Sequence, residues 1–177
     1  FYVDKTDFIR QWWESGDDIT LITRPRRFGK TLNMSMLNCF FSRQYAEKGT
    51  IFEGLSIWKQ EKYRRLHGTY PVIFLSFADV KQNNYQDAVQ KIKNIIVDAY
   101  RQHRYLEQEE CFPQNEKQQM LEITEKMSDV TAQDALKNLS SYLNLLYGKK
   151  VLIFLDEYDT PMQEAYLGRM WTVRKER

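Results

Sequence analysis

At 177 residues, the chain has the length of one domain with a core of ordinary size. With 42% hydrophobic and 28% charged residues, it groups with folded soluble proteins and not with disordered ones. A net charge of +2 excludes the global basic field of a nucleic-acid binder, and no apolar run approaches a membrane span.

Residues 1–13, FYVDKTDFIRQWW, start extended and become helical. Asp7 suits an N-cap, and Phe8, Ile9, Trp12 and Trp13 recur at helical spacing, so an aromatic face packs on the core. Asp4, Lys5 and Thr6 form a polar cluster just ahead of it. Ser15, Gly16, Asp17 and Asp18 make a turn.

Residues 19–32, ITLITRPRRFGKTL, carry the first chemistry. They read as a buried β-strand over 19–23, a loop over 24–30 and a helix opening near Thr31. A strand that turns sharply into a helix leaves the first helical N–H groups facing open space, and with the helix dipole they form an anion site. Gly29 lets backbone approach a phosphate without a Cβ in the way. Lys30 reaches the β- and γ-phosphates of a nucleoside triphosphate, and the Thr31 hydroxyl ligates Mg²⁺. The candidate nucleotide contacts are Arg26, Arg27, Phe28, Gly29, Lys30, Thr31 and Leu32. Arg24 stands where the P-loop pattern has its first glycine, and Pro25 fixes the next φ. The competing reading is an ordinary helix N-terminus behind an ordinary glycine. If the site binds a nucleotide, the Asp4–Lys5–Thr6 cluster is a candidate neighbour of its base.

Leu32, Met36, Leu37, Phe40 and Phe41 give the following helix its buried stripe. Residues 45–54 read as a loop and 54–63 as a short amphipathic piece around Trp58. His67 has no partner at metal-ligand spacing and reads as a surface residue. Residues 71–78, PVIFLSFA, are a second central strand, with Ser76 and Asp79 at its C-terminal end. Residues 85–106 form a long helix with Ala88, Ile92, Ile95, Ile96, Ala99 and Tyr100 inward; Lys91, Lys93, Arg101 and Arg104 form its solvent face. The polar stretch 107–129 reads as a peripheral, lid-like helix. Residues 131–147 are a helix capped by Thr131, with Asp134 three residues on, and ended by Gly148.

The second chemical landmark is VLIFLDEYD, residues 151–159. A wholly apolar strand suits a parallel sheet covered on both faces, and carboxylates at its C-terminal end lie where open α/β sheets bind ligands. Asp156 holds Mg²⁺ through water and Glu157 orients and deprotonates the attacking water. The competing reading is two solvated acids at a strand end. Strand, helix, strand, helices, strand is the βαβ rhythm of a parallel sheet, so the fold class is α/β, one domain over residues 1–177. Cys39 and Cys111 have no ligand-like spacing, which points to a reducing, cytoplasmic setting.

In this order, FYVDKT, LITRPRRFGKTL, FF, PVIFLSF and LDEYDTP resemble the AAA-ATPase-like proteins of gut and other anaerobic bacteria. The likeness runs to about residue 167 and includes the Arg-Pro-Arg-Arg loop. It implies a P-loop NTPase-type parallel sheet flanked by helices, commonly joined to a C-terminal PD-(D/E)XK nuclease-like domain. It also implies ATP and Mg²⁺ contacts at Lys30 and Thr31, with metal and water acids at Asp156 and Glu157. In such ATPases one more strand follows the acidic one and inserts between it and the P-loop strand. Residues 167–177 are a basic tail unlike that continuation, so the expectation is a chain that ends before its sheet is complete. Such a chain is expected to be unstable alone or to bind nucleotide weakly. The leading function is Mg-ATP binding or hydrolysis coupled to conformational change for a partner or nuclease domain. The alternative is a non-catalytic, nucleotide-dependent interaction module. A small-molecule kinase lacks a visible acceptor site, and direct DNA binding lacks a basic stripe.

Overall fold

Two parallel strands cannot be joined by a hairpin and need a crossover of a dozen residues or more, and helices supply it here. The computed structural model describes residues 3–23, 28–82 and 84–166. In chain order these form α1 (Asp7–Ser15), α2 (Lys30–Phe41), 3₁₀ segments Arg43–Phe52 and Ser56–Lys59, and α3 (Glu61–Arg64). Then come β1 (Val72–Ser76), α4 (Tyr85–Gln102), a 3₁₀ segment Arg104–Gln108, α5 (Gln114–Leu121), α6 (Asp129–Tyr147) and β2 (Leu152–Asp156). Residues 160–166 are helical. The fold is α/β, mostly helical, with β1 and β2 in a two-stranded parallel sheet. Two compact units divide it: Phe1–Val72 with Lys149–Phe154, and Ile73–Gly148 with Leu155–Arg177.

In the first unit the aromatic face expected of α1 forms the core. Ile9 is fully buried, and the half-buried rings of Trp12 and Trp13 lie 5.4 and 5.3 Å from that of Phe41. Trp12 also meets Phe154 of β2 at 5.9 Å. Such offset and tilted pairs add to area burial because ring edges meet ring faces. From α2, Leu37, Phe40 and Phe41 are buried. Leu32 departs from the expected stripe and is 67% exposed, while its neighbour Asn33 is buried.

Residues 45–54 are not the expected loop: most fall in the 3₁₀ segment Arg43–Phe52, which has no apolar period to announce it. His67 is likewise not a surface residue. Its ring lies 5.3 to 5.6 Å from those of Phe40, Phe52 and Trp58, and its buried Nε2 has no hydrogen-bond partner. Burial pulls its pKa below the ordinary imidazole value. Beside it, Gly68 has φ 63°, and a Cβ there would fall 2.3 Å from the Ala46 Cα.

In the second unit Ile96, Val97, Met127 and Ala135 make a buried cluster between α4 and α6. The Tyr100 hydroxyl donates to the Ala135 carbonyl at 2.8 Å. Lys93 is drawn off the expected solvent face: its Nζ donates to the Met127 carbonyl at 2.8 Å and pairs with Asp129 at 2.7 Å. Asn84 caps α4 by accepting the Asp87 N–H at 2.8 Å, and the helix ends at Gln102, with the 3₁₀ segment in place of its expected last turn. Ser128, not Thr131, caps α6; its hydroxyl accepts the Thr131 N–H at 3.0 Å. Gly148 ends α6 in the left-handed region, as expected.

Two expectations about the sheet need correction. Residues 19–23 are not a strand, and Ile19 and Leu21 are 90% and 60% exposed. An apolar run becomes a strand only where a neighbour takes its backbone N–H and C=O groups, and these residues stand outside the two-stranded sheet. β2 is covered on one face only: Phe154 and Asp156 are buried, while Ile153 and Leu155 are 46% and 42% exposed.

Candidate functional site

Gly29 stands immediately before α2. Its φ of 76° is left-handed, which glycine adopts without a steric penalty, and among the described residues a Cβ there would meet nothing within 4 Å. Its carbonyl accepts the Asn33 N–H at 3.0 Å, which starts α2 at Lys30. Gly29 offers no side chain to cap α2, and the first turn holds no acid, so the positive end of the helix dipole there is not offset by a carboxylate of that turn. Lys30 is half-buried, and Thr31 and Phe28 are exposed. Arg26 and Arg27 lie outside the described residues.

Asp156 closes β2, and Glu157 begins the turn after it. Asp156 is 5% exposed, and its carbonyl accepts the Phe77 N–H at 2.9 Å, extending the β1–β2 ladder by one bond. Glu157 has φ 52°, the one positive φ outside glycine among the described residues. Non-glycine residues avoid this region because Cβ crowds the backbone. The Glu157 carbonyl accepts the Thr160 N–H at 3.0 Å, opening the helical residues 160–166. The Thr160 hydroxyl, on a residue 8% exposed, donates to Glu157 Oε2 at 3.4 Å. Asp159 is taken up locally, accepting from Gln163 Nε2 at 2.6 Å. Ser76 accepts the Ala78 N–H at 3.5 Å as β1 ends.

Thus Gly29, Lys30 and Thr31 share one turn, in the first unit, and Asp156, Glu157 and Thr160 share another, in the second. Thr160 carried no sequence signal, since its part depends on the backbone reversal at Glu157. The polar cluster near the N-terminus serves the fold. Asp4 Oδ1 accepts from the Thr6 N–H and hydroxyl at 2.9 and 2.7 Å, and Oδ2 accepts the Ser56 N–H at 2.7 Å. Partial burial raises the Asp4 pKa, but these bonds from Thr6 and Ser56 outweigh it and hold the pKa down at about 2.

A cavity of about 490 Å³ lies elsewhere in the second unit, lined by Val97, Tyr100, Arg101, Arg104 and Met120 among others, and holds none of the predicted site residues. Among the described residues no three His, Cys, Asp or Glu side chains gather as a metal cage. Magnesium does not need one, since it keeps several waters and takes one or two protein oxygens plus substrate phosphates. The Asp156 carboxyl and the Thr31 hydroxyl are each, taken separately, an oxygen of that kind. No described helix is long and apolar enough to cross a membrane.

An uncharacterized protein of the vnfD 5′ region of Azotobacter chroococcum mcd 1 is 26% identical to the chain over 162 residues. That alignment takes in 92% of this chain and 26% of the relative, so the chain spans about a quarter of that protein's length. No solved structure matches it. The family described as Predicted AAA-ATPase matches residues 1–174, nearly the whole chain with both motif turns inside it, and the chain belongs to this AAA-ATPase-like family.

Proposed function

We propose that the chain is an ATP-binding domain of P-loop NTPase type, a single functional domain that couples Mg-ATP binding or hydrolysis to a conformational change. A partner protein or a nuclease-like domain reads that change. The observation that carries the reading is the start of α2: Gly29 in the left-handed region, then Lys30 and Thr31 in the first helical turn. Family membership over residues 1–174 supports it.

Lys30 contacts the β- and γ-phosphates, with the α2 N–H groups, Arg26, Arg27, Phe28 and Leu32 lining the nucleotide. The Thr31 hydroxyl and Asp156, the latter through water, hold Mg²⁺. The ion, when bound, neutralises charge developing on the phosphate oxygens. Glu157 orients the attacking water and takes its proton. Phosphoryl transfer asks little covalent chemistry of a protein, so positioning and charge supply the rate.

Binding of a fluorescent ATP analogue with Mg²⁺ tests the site. Lys30→Ala is expected to abolish saturable binding; equal binding by both proteins refutes the phosphate site. The exposure of Ile153 and Leu155 on β2 favours a second reading, a nucleotide-dependent interaction module without turnover. Glu157→Gln separates the two: trapped ATP and lost hydrolysis support an ATPase, whereas an unchanged absence of turnover supports the module.

A further inference from the structure

We propose that Thr160 is a positioning residue for Glu157, holding one carboxylate oxygen so that the other faces the attacking water. This rests on the reading of Glu157 as the water-activating residue. A glutamate in the left-handed region persists only where its surroundings fix it. Here both sides do: Phe77 N–H to the Asp156 carbonyl at 2.9 Å before it, and Thr160 N–H to the Glu157 carbonyl at 3.0 Å after it.

The backbone reversal brings the two side chains together. A helical threonine ordinarily donates its hydroxyl to a carbonyl three or four residues back. At Thr160 the carbonyl three back is that of Glu157, which takes the N–H, and the hydroxyl goes to the carboxylate, 3.4 Å from Oε2. Thr160 is 8% exposed, and a buried hydroxyl needs a partner. An ionised carboxylate only accepts, so the contact has one direction: Thr160 donates to Oε2, and Oε1 is left to accept from water. Base plus orienter is the arrangement by which a general base is aimed. The threonine methyl restricts χ1 and stiffens the anchor.

Steady-state Mg-ATP hydrolysis by the full chain tests this, with Thr160→Val, Thr160→Ser, Glu157→Gln and the Glu157→Gln/Thr160→Val double variant. Valine keeps the shape and removes the hydroxyl. It is expected to lower kcat roughly tenfold, the lower end for a partner that acts through another group, with KM unchanged. Serine is expected to restore kcat to near wild type, and Thr160→Val is expected to add no loss to Glu157→Gln. Wild-type kcat in Thr160→Val, or equal losses in the valine and serine variants, overturns the inference while leaving the reading of Glu157 intact. Analogue binding without hydrolysis by the wild-type chain overturns both.

Discussion

Replacing Gly68 by alanine should unfold the first unit more readily than any substitution at its surface. The new Cβ would stand 2.3 Å from Ala46 Cα, 2.7 Å from Ala46 Cβ and 3.0 Å from Ala46 N. These are mostly main-chain atoms, so no side-chain rotation relieves the overlap. Two costs add: about 1–2 kcal/mol for a non-glycine residue at φ 63°, and about 1–3 kcal/mol for overpacking. The expected loss is therefore roughly 2–5 kcal/mol. Gly54, in the same unit, is the control: its φ is 81°, but a Cβ there meets nothing within 4 Å. Gly54→Ala should cost only the dihedral part, about 1–2 kcal/mol. In urea, with a slope near 2 kcal/mol per M, the midpoint falls by roughly 1–2.5 M for Gly68→Ala and roughly 0.5–1 M for Gly54→Ala. Equal losses would show that the 3₁₀ segment yields to the new methyl, and would refute close packing at Gly68.

Two pH effects should accompany it. The folded-state pKa of Asp4, about 2, lies below the ordinary carboxyl value of 3.8, so its contribution is present above 3.8 and is lost as pH falls toward 2. The stability gap between wild type and Asp4→Ala, followed by urea unfolding, should narrow between about pH 4 and pH 2; a constant gap refutes a stabilising role for the bonds from Thr6 and Ser56 to Asp4. His67 has its pKa lowered from 6.5 by burial, so the unfolded chain takes the proton first. Stability is then full above 6.5 and declines below it. Phenylalanine, a ring without a titrating nitrogen, should flatten that decline, and an unchanged pH slope in His67→Phe would assign it to other groups.

What could be read from the sequence was what near neighbours decide. The run Val-Leu-Ile-Phe-Leu before Asp156 does form a strand, and so does the run after Pro71, because β-branched and aromatic residues fit a pleated, half-buried surface. The periods of α4 and α6 were legible too. Their ends were not, since Ser128 and Thr131 both suit a cap and only packing selects between them. Residues 19–23 show the limit most plainly. Their composition is that of a strand, but pairing depends on what lies alongside, and no local pattern reports it. The burial of His67 has the same origin: the rings around it come from positions 40, 52 and 58, on three separate segments. At the site, the start of α2 at Lys30 was readable from the Gly-Lys-Thr order, whereas the reversal at Glu157 was not, because nothing in Asp-Glu-Tyr-Asp announces a left-handed glutamate.

The two turns that carry the motifs reach the same backbone region for different reasons. At Gly29 the left-handed φ of 76° is met by the residue that adopts it most readily, so the fold alone accounts for the choice. At Glu157 the φ of 52° falls on a residue with a full side chain, at a cost of about 1–2 kcal/mol. Glycine or asparagine would fill that position with less strain, but neither would give Thr160 a carboxylate to hold. Local stability therefore argues against glutamate here. The ladder bond at Asp156 and the first helical bond at Thr160 tolerate the strain without requiring that residue, since both are made by main-chain atoms. What remains to account for a glutamate is the use of its carboxylate, and an observed strain of this kind is the proper starting point for assigning one.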